Sequence, residues 1–443
     1  MATPIYDFLK KYSDSNGVRM HMPGHKGKGA LGIEALDLTE IRGADSLYAP
    51  EGIIRDSEER ASRLFGCTTF YSTEGSSLSI KAMLYLALRG KRADGARPLV
   101  LAARNAHRAF ISAACLVDFD VEWIDSTGSG YLCCPLSAQD IRRTLMKMKR
   151  KPDAVYLTSP DYLGNTVNIR EISDTCHDFG VLLLVDNAHG AYLRFLDESL
   201  HPIDLGADIC ADSAHKTLPV LTGGAYLHFG KGISAETIAH AKEAMLLFGS
   251  TSPSYLTLAS LDLCNEYLER EIRDELRDTV AKISKAKLRL AEHGFTLTGD
   301  EPLKITVLPS SFGYTGVQLG KILEDEGVYP EFYDRDSLVL MPSPRGEEGL
   351  DRTVDILTKI PKKPQKSAHA PRVTIPKSVM SPRQAMMCES EILPAGECVG
   401  RVAAEVCVGC PPAVPIVVSG EEITKDVVRA AEYYGIHKLY VTK

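Results

Sequence analysis

Between Phe65 and Phe229 the chain alternates short, unbroken apolar runs with amphipathic stretches. The apolar runs are PLVLAA (98–103), AVYLTS (154–159), VLLLVD (181–186), ADICAD (207–212) and GAYLHF (224–229). Each has the length of a strand but lacks the every-second-residue polarity of a half-exposed one, which predicts strands covered on both faces. Between them, SLSIKAMLYLAL (77–88) and SAQDIRRTLMKMKR (137–150) carry the spacing of helices. Strands and helices in alternation predict the α/β class, with a mainly parallel sheet flanked by helices.

The pattern changes at residue 254. A long helical periodicity runs over 254–294, and within it NEYLEREIRDELRD (265–278) has the i,i+4 acid–base spacing of a solvated helix face. Short strand and helix signals then continue to about residue 360 and predict a smaller α+β unit. The segment IPKKPQKSAHAPRVTIPKSVMSPRQ (360–384) is rich in proline and lysine and reads as a linker. Beyond it PPAVPIVVSGEEIT (411–424) sits at the centre of a last compact unit. The expected boundaries are an N-terminal arm over 1–64, a large domain over 65–253, a small α+β domain with its connecting helix over 254–360, a linker over 361–384 and a C-terminal α+β domain over 385–443. There is no internal repeat.

Bulk composition narrows the classes without choosing among them. A chain of 443 residues exceeds one ordinary core, so two or three domains are expected. A formal net charge of -7 gives no reason to expect a nucleic-acid partner. Eleven cysteines, an odd number without framework spacing, fit a reducing compartment. MATPIYDFLKKYSDSNG lacks the apolar core of a signal peptide, and no apolar run approaches the roughly 20 residues of a membrane span, so the cytoplasm is expected.

Three segments fall where the strands of an open parallel sheet end, the edge at which such sheets bind ligands. VLLLVD ends in Asp186 and continues as NAHG, with His189; ADICAD leads to Ser213, His215 and Lys216. Upstream, FYSTEGSSLSIKAML (70–84) is a glycine–serine turn opening into a helix, where Gly75, Ser76 and Ser77 could hold a phosphate. Taken singly, each has a plainer explanation: a turn-forming Asp, a helix-capping Ser, a solvated Lys, a structural His. Taken in order, a phosphate cup, an acid and then a lysine suit pyridoxal phosphate. The lysine forms the covalent link when its amine is neutral, the acid keeps the ring nitrogen protonated, and the cup holds the phosphate. Cys407 and Cys410 form a single C-x-x-C, which cannot complete a tetrahedral zinc site, so no metal is expected. Cys133, Cys134 and the lone Trp123 read as core or strand packing.

These motifs resemble those of the fold-type-I pyridoxal-phosphate decarboxylases of ornithine, lysine and arginine, in their short bacterial form. The resemblance covers nearly the whole chain through HMPGHKGKG (21–29), LTEIRGADSLYAPEGIIRDSEERASRLFG (38–66), RNAHRA (104–109), DNAHGA (186–191), SAHKT (213–217), SPRQA (381–385) and PPAVPIVVSGEEIT (411–424). It implies the aspartate-aminotransferase-like large domain for 65–253 and a C-terminal decarboxylase domain for 385–443. It also implies that Lys216 is the Schiff-base lysine, Asp186 the pyridinium partner, His189 a neighbour of the ring oxygen and His107 a group stacked on the ring. Gly75, Ser76, Ser77, Ser213 and His215 would surround the phosphate, while Glu405, His25 and Lys26 would border the substrate.

The chain departs from the family pattern at several points. Glu74 stands where Asn is usual, Gly75-Ser76-Ser77 replaces Gly-Thr-Ser, Asn187 replaces Glu, Arg108 replaces Lys, and PPAVP replaces PPGIP. A carboxylate at Glu74 facing the phosphate would oppose anion binding, so it is expected to point away. The activity implied is decarboxylation of a basic amino acid by a homodimer or larger assembly. Arginine is the first choice on resemblance alone, with the amine product feeding polyamine synthesis. The alternatives are another pyridoxal-phosphate reaction, such as transamination or elimination, and a non-catalytic paralogue.

Overall fold

The computed structural model describes residues 3–15, 17–91, 95–124, 133–365, 371, 374–409 and 414–443. Seven strands are named in chain order: β1 (Thr68–Ser72), β2 (Leu99–Ala102), β3 (Asp120–Trp123), β4 (Ala154–Thr158), β5 (Leu182–Asp186), β6 (Ile209–Asp212) and β7 (Ala225–Phe229). The chain forms two compact units, one of residues 1–89 and 182–274, the other of 90–181 and 275–443.

The first unit holds the run β1-β7-β6-β5. β5 and β6 are parallel, with Asp186 opposite Ala211, whereas β6/β7 and β7/β1 are antiparallel. β5, β6 and β7 occupy the apolar runs read from the sequence, and β6 and β7 are buried along their full length, as both-face coverage requires. β1 ends the run, and its mixed Thr-Thr-Phe-Tyr-Ser composition hid it from a search for continuous apolar stretches. The helix Gly75–Leu88 is apolar on nearly all sides and buried accordingly.

The N-terminal helix Pro4–Ser13 is fastened by a carboxylate at its start. Asp262 Oδ2 accepts from Ile5 N–H at 2.8 Å and Tyr6 N–H at 3.1 Å, first-turn donors that a helix leaves unpaired. Burial, only partly offset by these bonds, pushes the Asp262 carboxyl up to about 6. Asn265 departs from the solvated face expected of 265–278. It is fully buried, and its side-chain amide donates to Tyr71 Oη at 2.7 Å and to the Ser57 carbonyl at 3.1 Å. The expectation holds for its neighbours Glu266 and Arg270, which form an i,i+4 ion pair.

The long periodicity after residue 254 is two helices, Tyr255–Arg270 and Ile272–His293, with Glu271 between them at φ -119°. The buried stripe passes from Leu268 to Ile272 without losing its i,i+4 step, so periodicity alone could not reveal the break.

The second unit holds β4-β2-β3, all parallel, with Val100 opposite Ala154 on one side and Val121 on the other. The helix Ala138–Lys147 begins in a capping box between Ser137 and Asp140. A four-stranded antiparallel sheet is built from Thr296–Thr298, Ile305–Leu308, Phe332–Tyr333 and Leu338–Leu340. Toward the C-terminus, Ser390–Pro394 pairs with Lys438–Thr442 and Cys407–Val408 with Val417–Val418. These surround a core that includes Cys398, Ile416, Val417, Ile423, Val427 and Val441. Within the proline-rich stretch, Val379 and Met380 N–H both donate to the Gly420 carbonyl, and Pro382 opens a helix to Met387. Cys410 and residues 411–413, part of two sequence motifs, lie outside the described residues. No helix among the described residues is long and apolar enough to cross a membrane.

Candidate active site

In the first unit two adjacent strand ends deliver the chemistry. β5 ends in Asp186, 1% exposed, and its Oδ1 accepts from Ala188 N–H at 3.1 Å, which shapes the turn that follows. That turn needs glycine: a Cβ on Gly190 would lie 2.0 Å from Asn187 Oδ1 and 2.6 Å from Leu193 Cδ1. It places His189 so that its Nε2 stands 3.0 Å from Lys216 Nζ. Lys216 lies in the single helical turn Ala214–Thr217 that follows β6, and its backbone N–H donates to the Ser213 carbonyl.

Beside this pair, Ser213 Oγ donates to Ser76 Oγ at 2.7 Å, joining the lysine loop to the first turn of the helix Gly75–Leu88. His215 lies against the same segment, with its Nδ1 2.9 Å from the Gly224 carbonyl. The turn over 222–224 approaches closely, since a Cβ on Gly223, at φ +98°, would meet the Thr73 carbonyl oxygen at 2.6 Å. Glu74, at the N-cap of this helix, does not cap it: its Oε1 accepts from Ser250 N–H. The carboxylate is thereby engaged away from the first turn, as the sequence led one to expect, and the helix keeps uncapped N–H groups at Ser76 and Ser77. Thr217 Oγ1, next to the lysine, is buried without a hydrogen-bond partner. Uncapped helix amides and the serine hydroxyls form a donor set that fits a phosphate, and the lysine and buried acid fit the rest of a pyridoxal cofactor.

Beneath the site is a group that the sequence reading did not single out. Asp212, the last residue of β6, has Oδ2 3.0 Å from His201 Nε2 and 3.2 Å from His228 Nε2, while Oδ1 accepts from Asn187 Nδ2 at 2.7 Å. All four residues are fully buried. Burial alone would raise the Asp212 carboxyl, but the two imidazoles outweigh it and hold the group well below the usual carboxylate range. Burial also pushes His228 down, opposed by Asp212. A neutral His228 with its proton on Nε2 satisfies both neighbours, because the Thr69 hydroxyl lies 2.9 Å from Nδ1. His201, Cys210 and Asp212 offer donor atoms within 4.8 Å of one another, but the Asp212 oxygens are already taken by side-chain donors, which accounts for the cluster without an ion. The available signal was a charged residue closing an otherwise apolar strand.

The other expected residues are carried by other segments of the chain. His25 Nε2 is 3.1 Å from Asp37 Oδ2 and Lys26 Nζ donates to the His21 carbonyl, so both are engaged within the N-terminal segment. His107 and Glu405 belong to the second unit. His107 is the N-cap of the helix Arg108–Ala113, its Nδ1 accepting from Ala109 N–H at 3.2 Å. Glu405 Oε1 accepts from Tyr440 N–H at 3.0 Å, and burial raises its carboxyl. Trp123, read as packing, lies on β3 and donates its indole N–H at 3.0 Å to Glu421.

Comparison with known proteins agrees with this geometry. Residues 3–307 match the family described as Orn/Lys/Arg decarboxylase, major domain, and residues 364–439 match its C-terminal domain. An arginine decarboxylase of Bacillus subtilis is 30% identical, with 96% of this chain and 92% of that protein covered. One from Halalkalibacterium halodurans is 29% identical over 96% of this chain and 91% of its own length. Among solved structures, the Francisella novicida lysine decarboxylase LdcF superposes with a TM-score of 0.81 at 19% identity, covering 99% of this chain and 80% of that one.

Proposed function

Because the chain belongs to the Orn/Lys/Arg decarboxylase family, whose fold and chemistry imply pyridoxal phosphate, we propose that it decarboxylates arginine. The observation that carries the reading is the pairing of Lys216 Nζ with His189 Nε2 at 3.0 Å, beside a buried Asp186 and an uncapped helix start. The choice of arginine rests on the Bacillus subtilis and Halalkalibacterium halodurans relatives, both arginine decarboxylases.

In this reading Lys216 is the point of covalent attachment, and Ser76, Ser77, Ser213 and His215, with the amides after Gly75, hold the phosphate. When bound, the cofactor supplies an electron sink for the pair left by the departing carboxylate. His189 would take a proton from Lys216 Nζ, leaving that amine nucleophilic, and would hand the proton to the amine product as it departs. Asp186, shielded from water, keeps a cationic N–H opposite its carboxylate. His107 stacks on the ring, and Glu405, His25 and Lys26 border the substrate, on the family pattern. Holding the leaving carboxylate away from water favours its loss, because the negative charge disperses as the bond breaks. The assembly is a homodimer or larger, and the amine product enters polyamine synthesis.

Carbon dioxide release from arginine, lysine and ornithine tests the proposal. Arginine should be turned over fastest, and Lys216→Ala should lose about a thousandfold or more in rate. Turnover only on addition of a keto acid would replace decarboxylation by transamination, and faster turnover of lysine or ornithine would reassign the substrate.

A further inference from the structure

Two of the sequence motifs, RNAHRA and the GEEIT end of the C-terminal motif, have no part in the mechanism beyond His107, yet they meet in the core of the second unit. Arg104 and Glu421, 317 residues apart, form a bidentate pair: Nη1 to Oε1 at 2.5 Å and Nη2 to Oε2 at 2.9 Å. Their side chains are 4% and 1% exposed. Both carboxylate oxygens carry a second donor, and the guanidinium a further acceptor. Glu421 Oε1 also accepts from Trp123 Nε1, Oε2 accepts from Val418 N–H at 2.9 Å, and Arg104 Nε donates to the Pro415 carbonyl at 3.3 Å. The guanidinium also lies 4.6 Å from the centre of the Trp123 ring.

A pair this well satisfied exceeds what is needed to close a core, where apolar residues of the same volume serve as well. It does supply direction, because a bidentate guanidinium–carboxylate pair fixes the plane of the arginine as well as its distance. The residues that receive this direction are those after Arg104. Ala103 N–H donates to the Tyr156 carbonyl at 2.9 Å, Asn105 Nδ2 donates to the Thr158 carbonyl at 3.1 Å, Ala106 is fully buried, and His107 begins the next helix. We infer that Glu421, through Arg104, is a positioning residue for His107, so that the C-terminal domain sets the orientation of the ring-stacking histidine. This rests on the role proposed above for His107.

The test is a cycle of Glu421→Gln, His107→Ala and the double variant, all in the full chain. Pyridoxal phosphate is titrated into the cofactor-free proteins, and amide exchange over residues 104–110 is read in the same proteins without cofactor. Gln keeps the shape and one acceptor but removes the charge. The expected result is about a tenfold rise in the cofactor's dissociation constant for each single variant and about tenfold, not a hundredfold, for the double. Exchange over 104–110 should rise about tenfold in Glu421→Gln. A hundredfold loss in the double variant, or unchanged affinity and exchange in a folded Glu421→Gln protein, overturns the inference. If His107→Ala binds cofactor as tightly as the parent, the stacking role falls, and exchange over 104–110 then decides the positioning claim by itself. Should Glu421→Gln fail to fold, Trp123→Phe removes the indole donor and shrinks the ring under the guanidinium while leaving the ion pair itself. It is expected to weaken binding about threefold, and not at all in the His107→Ala protein.

Discussion

Each unit buries one carboxylate behind a residue proposed to take part in the reaction, and the two are held by different partners. Asp212, three residues after Ile209 and one before Ser213, is held by His201, His228 and Asn187; Glu421 is held by Arg104, Trp123 and its own backbone. Both carboxylates have a full set of donors, as burial demands. The difference lies in the cation. Imidazole gains and loses its proton near neutrality, whereas a guanidinium keeps its charge throughout that range. The support behind Lys216 is therefore sensitive to pH, and the support behind His107 is not. A bidentate pair also fixes orientation, whereas two imidazoles converging on one oxygen fix position while leaving their tautomers to outer partners such as Thr69.

The strongest way to test this contrast is to remove one partner on each side. Asp212→Ala leaves two buried imidazoles facing each other, and Arg104→Ala leaves a buried carboxylate. Each should cost about 3–5 kcal/mol, read as a fall in the denaturant midpoint of the full chain. Equal and small losses would mean that neither carboxylate bears on stability.

Acidification should then separate the two sides. His228 is held below its ordinary value of 6.5, so the folded protein binds its proton less readily than the unfolded chain. Its contribution is complete above that value and is lost as the pH falls through it, with a slope of up to about 1.4 kcal/mol per pH unit for one proton. Asp212 has the same sign further down, its contribution beginning to fade as the pH drops toward its ordinary value of 3.8. Amide exchange, corrected for its intrinsic pH dependence, should rise between pH 7.5 and 5.5 over β6 and β7 and stay level over 104–106, before the imidazole cap at His107. A parallel rise in both segments would erase the distinction.

Smaller changes sharpen the contrast. Thr69→Val removes the hydroxyl beside His228 Nδ1 and should cost about 1 kcal/mol, more at pH 7 than at pH 5.5. Replacing both members of the other pair, Arg104→Met with Glu421→Leu, should change the unfolding free energy by less than about 1–2 kcal/mol of either sign. It should nonetheless loosen the 104–110 segment, and retention of parental exchange there would show that packing alone sets the loop. The smallest effect is expected on the surface: Asp426→Ala breaks an exposed i,i+3 ion pair with Arg429 and should move stability by less than about 0.5 kcal/mol.

Much of the fold and of the site was legible along the chain because the signals are local. Fully buried strands read as continuous apolar runs, and β2, β4, β5, β6 and β7 lie where those runs stand. The positions of Lys216, Asp186 and the glycine–serine turn were legible because each ends a strand, follows directly on one or opens a helix. β1, with its mixed composition, and the break at Glu271, bridged by an unbroken buried stripe, were not. Asn265 was read as solvated because its neighbours are charged. Only its contact with Tyr71, 194 residues earlier, shows otherwise.

The sequence by itself therefore determined five strands of the large sheet and their alternation with helices, the strand ends that lead to Asp186 and Lys216, and membership of a decarboxylase family. All of these are written in periodicity and in motifs a few residues long. Tertiary structure alone decided what stands behind those motifs: which charge faces Asp212, where Glu74 turns, and that Arg104 reaches across 317 residues to Glu421. A buried charge is worth having only when its donors surround it, and those donors come from segments that folding brings together. No local pattern records that choice.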